Sequence, residues 1–116
     1  MNNAIGIDLV ELEQLKDKAT EAFINRILSD RELPLYQAIS HPQKQLEFLA
    51  GRFAAKEAYT KVYQTFDVPL NFKDVSILKN DNGAPYIESK YRPKDRVLVS
   101  ISHTEHYAVA ICQLVE

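Results

Sequence analysis

Ile5, Ile7 and Leu9 stand between Gly6, Asp8 and Val10, a period of two that predicts a short strand. Its even-numbered face carries an aspartate beside a residue with no side chain. Downstream the period lengthens. Phe23, Ile24, Ile27 and Leu28 fall at helical spacing, and Ser29 with Glu32 forms a capping-box pattern that predicts a helix restart. Pro34 sits too far inside such a helix, so a kink or a new start is expected there. His41-Pro42 marks the next boundary, because proline suits a first helical position. Residues 42 to about 64 hold the strongest helical pattern in the chain. Residues 75–78 and 85–88 then read as strands around the turn Asn80-Asp81-Asn82-Gly83, and residues 97–102 and 107–112 alternate as a second hairpin. This order predicts an α+β fold, with an antiparallel sheet packed against a long central helix. At 116 residues the chain is expected to be one domain spanning 1–116.

The long helix has a charge problem. Leu46, Ala50, Phe53 and Glu57 share one line of the helical wheel, with Lys61 one turn further on. Phe48, Ala55, Tyr59 and Tyr63 occupy the other side, so the helix is apolar nearly all round and is expected to be buried on several sides. A bare carboxylate at Glu57 would there cost several kcal/mol. One reading is an ion pair with Lys61, although an exposed pair at that spacing contributes only about 0.2–0.5 kcal/mol. The other is a functional site. Asp8 raises the same question: it either caps the turn starting near Leu9 or joins Glu57 in holding a hard cation. Two carboxylates without further acids or histidines fit magnesium better than zinc, since magnesium keeps water and substrate phosphate as its remaining ligands.

Composition narrows the classes. Hydrophobic residues make up 46% and charged residues 26%, as in ordinary globular proteins. The single cysteine, Cys112, excludes an internal disulfide and reads as a core residue in an apolar run. Net charge of −2 argues against a nucleic-acid partner. Lys16, Lys18, Arg26, Arg31 and Lys44 nevertheless leave room for a local basic surface facing an acidic partner or an anionic substrate. No window reaches the roughly 20 apolar residues of a membrane span, and the start of the chain lacks a secretion signal, so a cytoplasmic protein is expected. His103, at the tip of the last hairpin on the face of Val97, Val99 and Ile101, stands without any nucleophile motif around it.

Three segments, in order, resemble the holo-acyl-carrier-protein synthase family. They are Gly6-Ile7-Asp8-Leu9-Val10-Glu11, the run from Phe48 through Gly51-Arg52-Phe53-Ala54-Ala55-Lys56-Glu57 to Lys61, and Ser100-Ile101-Ser102-His103-Thr104. The Gly83-Ala84-Pro85 turn lies in its place between them. The resemblance covers essentially the whole chain and implies a 4'-phosphopantetheinyl transferase fold. It implies an enzyme that moves phosphopantetheine from coenzyme A to a serine of an acyl carrier protein, in support of fatty acid biosynthesis. Position by position, it implies magnesium held by Asp8 and Glu57. Lys61 would approach the coenzyme A phosphates. Arg52, His103 and Thr104, with Lys44 as an addition, would lie near the nucleotide phosphates. It further implies a homotrimer with sites at subunit interfaces, Asp8, Glu57 and Lys61 coming from one chain and part of the nucleotide pocket from its neighbour.

For the serine proton, Glu57 through a water, a metal-bound hydroxide and His103 are all open. The chain departs from the family twice. The run Val62-Tyr63-Gln64-Thr65-Phe66-Asp67-Val68 replaces a glycine-rich turn and restricts backbone approach to the nucleotide. Gln14 stands where relatives often place an arginine facing the carrier protein, with Arg26 available for docking. Two other classes compete on the same residues: a magnesium-dependent phosphohydrolase, and a non-catalytic binding module in which Glu57 and Lys61 merely pair.

Overall fold

The structure is a computed structural model that describes residues 4–63 and 70–115. Strand β1 (Ile5–Glu11) leads directly into helix α1 (Leu12–Lys18), followed by α2 (Glu21–Ile27), α3 (Leu33–Gln37) and the long α4 (Pro42–Val62). A single 3₁₀ turn (Phe72–Asp74) precedes the hairpin β2 (Val75–Lys79) and β3 (Pro85–Ser89), and β4 (Arg96–His103) and β5 (Tyr107–Val115) close the chain. The expected α+β order holds. Among the described residues there are two antiparallel sheets: a three-stranded one ordered β1-β5-β4, and the separate β2–β3 hairpin.

Local chemistry explains most boundaries. The helical stretch ahead of the capping box is two helices, because the Thr20 hydroxyl accepts from the Phe23 N–H and caps α2. The capping box is real: the Glu32 carboxylate accepts from Ser29 N at 2.8 Å and the Ser29 hydroxyl from Glu32 N at 3.2 Å. The helix it was expected to restart begins only at Leu33, with Pro34 in its opening turn. His41 caps α4, its Nδ1 accepting from Lys44 N, and Pro42 opens the helix. Helix α4 ends at Val62; the expected extension to Gln64 and the glycine-free run 64–68 lie outside the described residues.

The core is a helix laid closely on a sheet. Ala50, Ala54, Ala55 and Ala58 of α4 are fully buried, and so are Ala108 and Cys112 of β5, with Ala110 almost so. Small residues on both surfaces bring the backbones together, and the Cys112 thiol donates to the Ala55 carbonyl at 3.5 Å. Burial pushes that thiol's pKa up to about 12, as befits the core residue expected from sequence. Gly6 marks the tightest approach: a Cβ there would lie 2.0 Å from the Ala58 carbonyl oxygen. Only glycine lets β1 press against α4 at this point.

The even face of β1 therefore points at α4, with Gly6 and Val10 buried and Asp8 half-buried. The odd face is open: Ile5, Ile7 and Leu9 are 56%, 55% and 64% exposed. Tyr107 and Ile111 of β5 and Leu98 of β4 continue this apolar surface across the sheet. Among the described residues, no helix is long and apolar enough to cross a membrane.

Inside the molecule the fully buried charge on α4 is Lys56, not Glu57. The Lys56 ammonium donates to the carbonyls of Ile27 and Phe72 and to the Glu32 carboxylate, and both side chains of the pair are 0% exposed. The second Glu32 oxygen accepts from Ile77 N at 2.8 Å. This one ion pair ties α4 to the end of α2, to the 3₁₀ turn and to β2.

Candidate active site

Asp8 does not cap a turn. It sits inside β1, opposite Ala110 of β5, and α1 starts four residues later at Leu12. Because Gly6 brings β1 against α4, the Asp8 side chain meets the helix where Glu57 and Lys61 emerge. Lys61 Nζ donates to Asp8 Oδ1 at 3.1 Å and to the Ile7 carbonyl at 3.0 Å. The ion pair of Lys61 is thus with Asp8, across elements, and not with Glu57 along the helix. Glu57 is half-buried, less enclosed than the helical wheel suggested.

Its electrostatics are those of a crowded acid. Burial pushes the Glu57 carboxyl's pKa up, the Asp8 charge pushes it further, and only Lys61 opposes them. Asp8 and Glu57 line one cavity of about 210 Å³ with Glu11, Gln14, Lys18 and Phe53. Among the described residues no group of three or more His, Cys, Asp or Glu side chains gathers. The donor set for a metal here is two hard carboxylate oxygens facing an open cavity. That set fits magnesium, which leaves positions for water and phosphate, and a divalent cation would relieve the repulsion that raises Glu57.

A second cavity, about 470 Å³, lies at the other end of α4 and holds Lys44, Arg52 and His103 together with Glu47 and Lys79. Gly83 and Pro85 of the β2–β3 turn form one wall and Ile101 of β4 another. Gly83 adopts φ of 85°, the left-handed turn conformation that glycine takes without cost. The Arg52 guanidinium lies 3.9 Å over the Phe48 ring, and its buried Nε has no hydrogen-bond partner among the described residues. Burial pulls its pKa down while the Glu32 charge pulls it up; an arginine so placed is still a cation. A buried cation with an unmade hydrogen bond, beside Lys44 and Lys79, makes this cavity a site for an anion.

Thr104 does not line either cavity. Its hydroxyl accepts from the N–H groups of His106 and Tyr107, stapling the β4–β5 turn. The residues singled out from sequence therefore fall into two clusters. Asp8, Glu57 and Lys61 form one, and Lys44, Arg52 and His103 form the other. Lys44 and Lys61 are about 26 Å apart along the axis of α4, at 1.5 Å per residue. Sequence reasoning passed over Glu47, Lys56 and Lys79. Glu47 did carry a signal, since it lies four residues after Gln43 and five before Arg52 on the same helix.

A close-packed α+β domain with a carboxylate pair at one end of its central helix and a basic cavity at the other defines a class. A profile of the 4'-phosphopantetheinyl transferase superfamily matches residues 4–112, and the chain belongs to that superfamily. Within it, the chain is similar to the holo-[acyl-carrier-protein] synthase of Acholeplasma laidlawii (strain PG-8A), 43% identical over 98% of this chain and 97% of that protein. The enzyme of the same name from Anoxybacillus flavithermus (strain DSM 21510 / WK1) is 49% identical over 91% of this chain and 89% of its own length. A crystal structure of a holo-(acyl-carrier-protein) synthase from Bacillus anthracis str. Ames, in complex with CoA (3',5'-ADP), superposes with a TM-score of 0.85. It is 34% identical and covers 96% of this chain and 94% of that one.

Proposed function

We propose that this chain is a holo-[acyl-carrier-protein] synthase, transferring 4'-phosphopantetheine from coenzyme A to a serine of an apo acyl carrier protein in fatty acid biosynthesis. The observation that carries the site assignment is the meeting of Asp8, Glu57 and Lys61 beneath an open cavity, enforced by Gly6. In the reaction the serine oxygen bonds to the pantetheine-side phosphorus, and the bond from that phosphorus to the bridging oxygen breaks. Adenosine 3',5'-bisphosphate leaves with the electron pair. Charge grows on the phosphoryl oxygens and on the departing phosphate, so catalysis is chiefly positioning and neutralisation.

Asp8 and Glu57 hold Mg2+, which when bound supplies charge neutralisation at the diphosphate. Lys61 fixes the Asp8 carboxylate and brings a half-exposed ammonium to the same edge. Arg52 and Lys44, with His103, bind the nucleotide phosphates in the larger cavity. Thr104, next to His103 in the β4–β5 turn, has two backbone donors on its oxygen and keeps its own proton to donate to a phosphate.

The same reading assigns the assembly. The apolar face of Ile5, Ile7, Leu9, Leu98, Tyr107 and Ile111 is a surface that a second copy covers, and we assign a homotrimer. The two clusters then form one site between neighbours, the carboxylates from one chain and the basic cavity from the next. This supplies what the separation along α4 denies to a single chain. Carrier protein docks beside the carboxylate cavity, near Gln14 and Lys18, with Arg26 on the adjoining helix. The enzyme works in the cytoplasm, beside its coenzyme A and its carrier protein.

Intact-mass analysis of an apo carrier protein incubated with the chain, coenzyme A and Mg2+ tests this reading. A gain of one phosphopantetheine arm on the serine is expected. An unmodified carrier with coenzyme A cleaved would assign a phosphohydrolase, and no change in either would leave a binding module.

A further inference from the structure

One acid stands inside the basic cavity. Glu47 lines it beside Lys44, Arg52 and His103, and a carboxylate there opposes the binding of an anion unless it serves another purpose. Its surroundings show the purpose. Glu47 Oε1 lies 3.9 Å from His103 Nδ1, and its other oxygen, Oε2, accepts from Gln43 Nε2 at 3.2 Å. The same Gln43 amide donates to the Glu105 carbonyl at 3.0 Å, so one side chain of α4 clasps both the carboxylate and the tip of the β4–β5 hairpin. That tip is already stapled by Thr104. The Glu47 side chain is 19% exposed, whereas that of His103 is 47% exposed, and among the described residues no other side chain holds its ring.

We propose that Glu47 is a positioning residue of the nucleotide pocket, holding the His103 ring so that Nδ1 faces α4 and Nε2 faces a bound phosphate. The two ring nitrogens diverge, so a carboxylate that takes one dictates which is left for the ligand. A carboxylate facing one ring nitrogen is the arrangement that orients ligand-binding histidines elsewhere. Gln43 completes the device by fixing the carboxylate against the hairpin. The inference rests on the reading of His103 as a phosphate-binding residue, and the chemistry recognised is a phosphomonoester on the donor nucleotide.

The experiment compares the intact enzyme with Glu47→Gln, His103→Ala and the double variant, using coenzyme A and 3'-dephospho-coenzyme A as donors. Glu47→Gln keeps the shape and is expected to raise KM for coenzyme A about fivefold, the loss of one partly exposed ion pair, with the change falling on KM and not on kcat. It should add little in the His103→Ala background and should leave KM for the dephosphorylated donor unchanged. Gln43→Ala should shift KM the same way by less. If His103→Ala raises KM but Glu47→Gln does not, or if the Glu47→Gln effect persists undiminished without His103, the inference is overturned. If His103→Ala itself leaves KM untouched, it is the phosphate role of His103 that fails, and the inference falls with it. A merely structural role for Glu47 would raise KM for both donors alike.

Discussion

Replacing Lys56 by methionine isolates the buried ion pair. The ammonium makes three hydrogen bonds, to Ile27 O, Phe72 O and Glu32 Oε1, and both side chains of the ion pair are sealed from water. Methionine fills a similar volume, so the loss is electrostatic rather than a cavity. What remains is a carboxylate at 0% exposure whose hydrogen bonds, among the described residues, come from the N–H groups of Ser29 and Ile77. Removing one partner of a buried pair costs about 3–5 kcal/mol, because the other charge stays buried. For a chain of this size each kcal/mol moves Tm by about 3–5 °C, so Lys56→Met should melt about 10–20 °C lower. The assay is thermal unfolding by circular dichroism at fixed chain concentration, since an oligomer's Tm depends on concentration. Adding Glu32→Gln removes the stranded charge while keeping an acceptor for one of the two backbone donors, and should recover part of the loss. A single variant that melts within about 3 °C of the parent, less than about 1 kcal/mol, would refute this account. So would a double variant no more stable than the single one.

Other outcomes follow from the same geometry. Glu57 is an acid whose folded pKa is raised, so its stabilising contribution is full below the unfolded value and is lost as pH rises through the folded one. Glu57→Gln should therefore be relatively more stable at pH 8 than at pH 4, while turnover falls by at least about a hundredfold; melting curves at the two pH values and a carrier-modification assay check both halves. Gly6→Ala places a methyl 2.0 Å from the Ala58 carbonyl oxygen, so the strand must retreat from α4. A stability loss of about 1–3 kcal/mol and a drop in kcat should appear together, because Asp8 moves with the strand. Ile7→Asp, at a site 55% exposed in one chain, should leave the monomer folded but shift sedimentation to smaller species. An unchanged sedimentation coefficient would remove this face from the interface.

What the sequence disclosed depended on how local the cause was. Alternation in β1 put Gly6 and Asp8 on one face, and the structure turns that face to α4. The same alternation gave no warning that Ile5, Ile7 and Leu9 lie open, because alternation says which residues share a face and not whether another element of the chain covers it. The helical wheel correctly found α4 crowded with apolar groups. Centred on Leu46, it chose Glu57 as the buried charge, whereas the docked helix turns Leu49, Arg52, Lys56 and Tyr59 inward. Serine and glutamate spaced for a capping box did make the predicted reciprocal bonds. That Glu32 also reaches Lys56 and Ile77 could not be read, since both partners are distant along the chain. The break before α2 was legible in Thr20 ahead of Glu21 and was passed over. Resemblance named Lys44, Arg52, His103 and Thr104 as one pocket, and the structure gathers the first three while giving Thr104 a turn to hold.

Asp8 and Glu57 are assigned to share one divalent ion, and manganese reports on that directly. Electron paramagnetic resonance of Mn2+ titrated into the enzyme with coenzyme A present should show one bound ion per chain. That signal should be lost in both Asp8→Asn and Glu57→Gln while each still binds coenzyme A. Full-strength manganese binding in either variant would contradict the assignment of the two carboxylates as the metal's ligands.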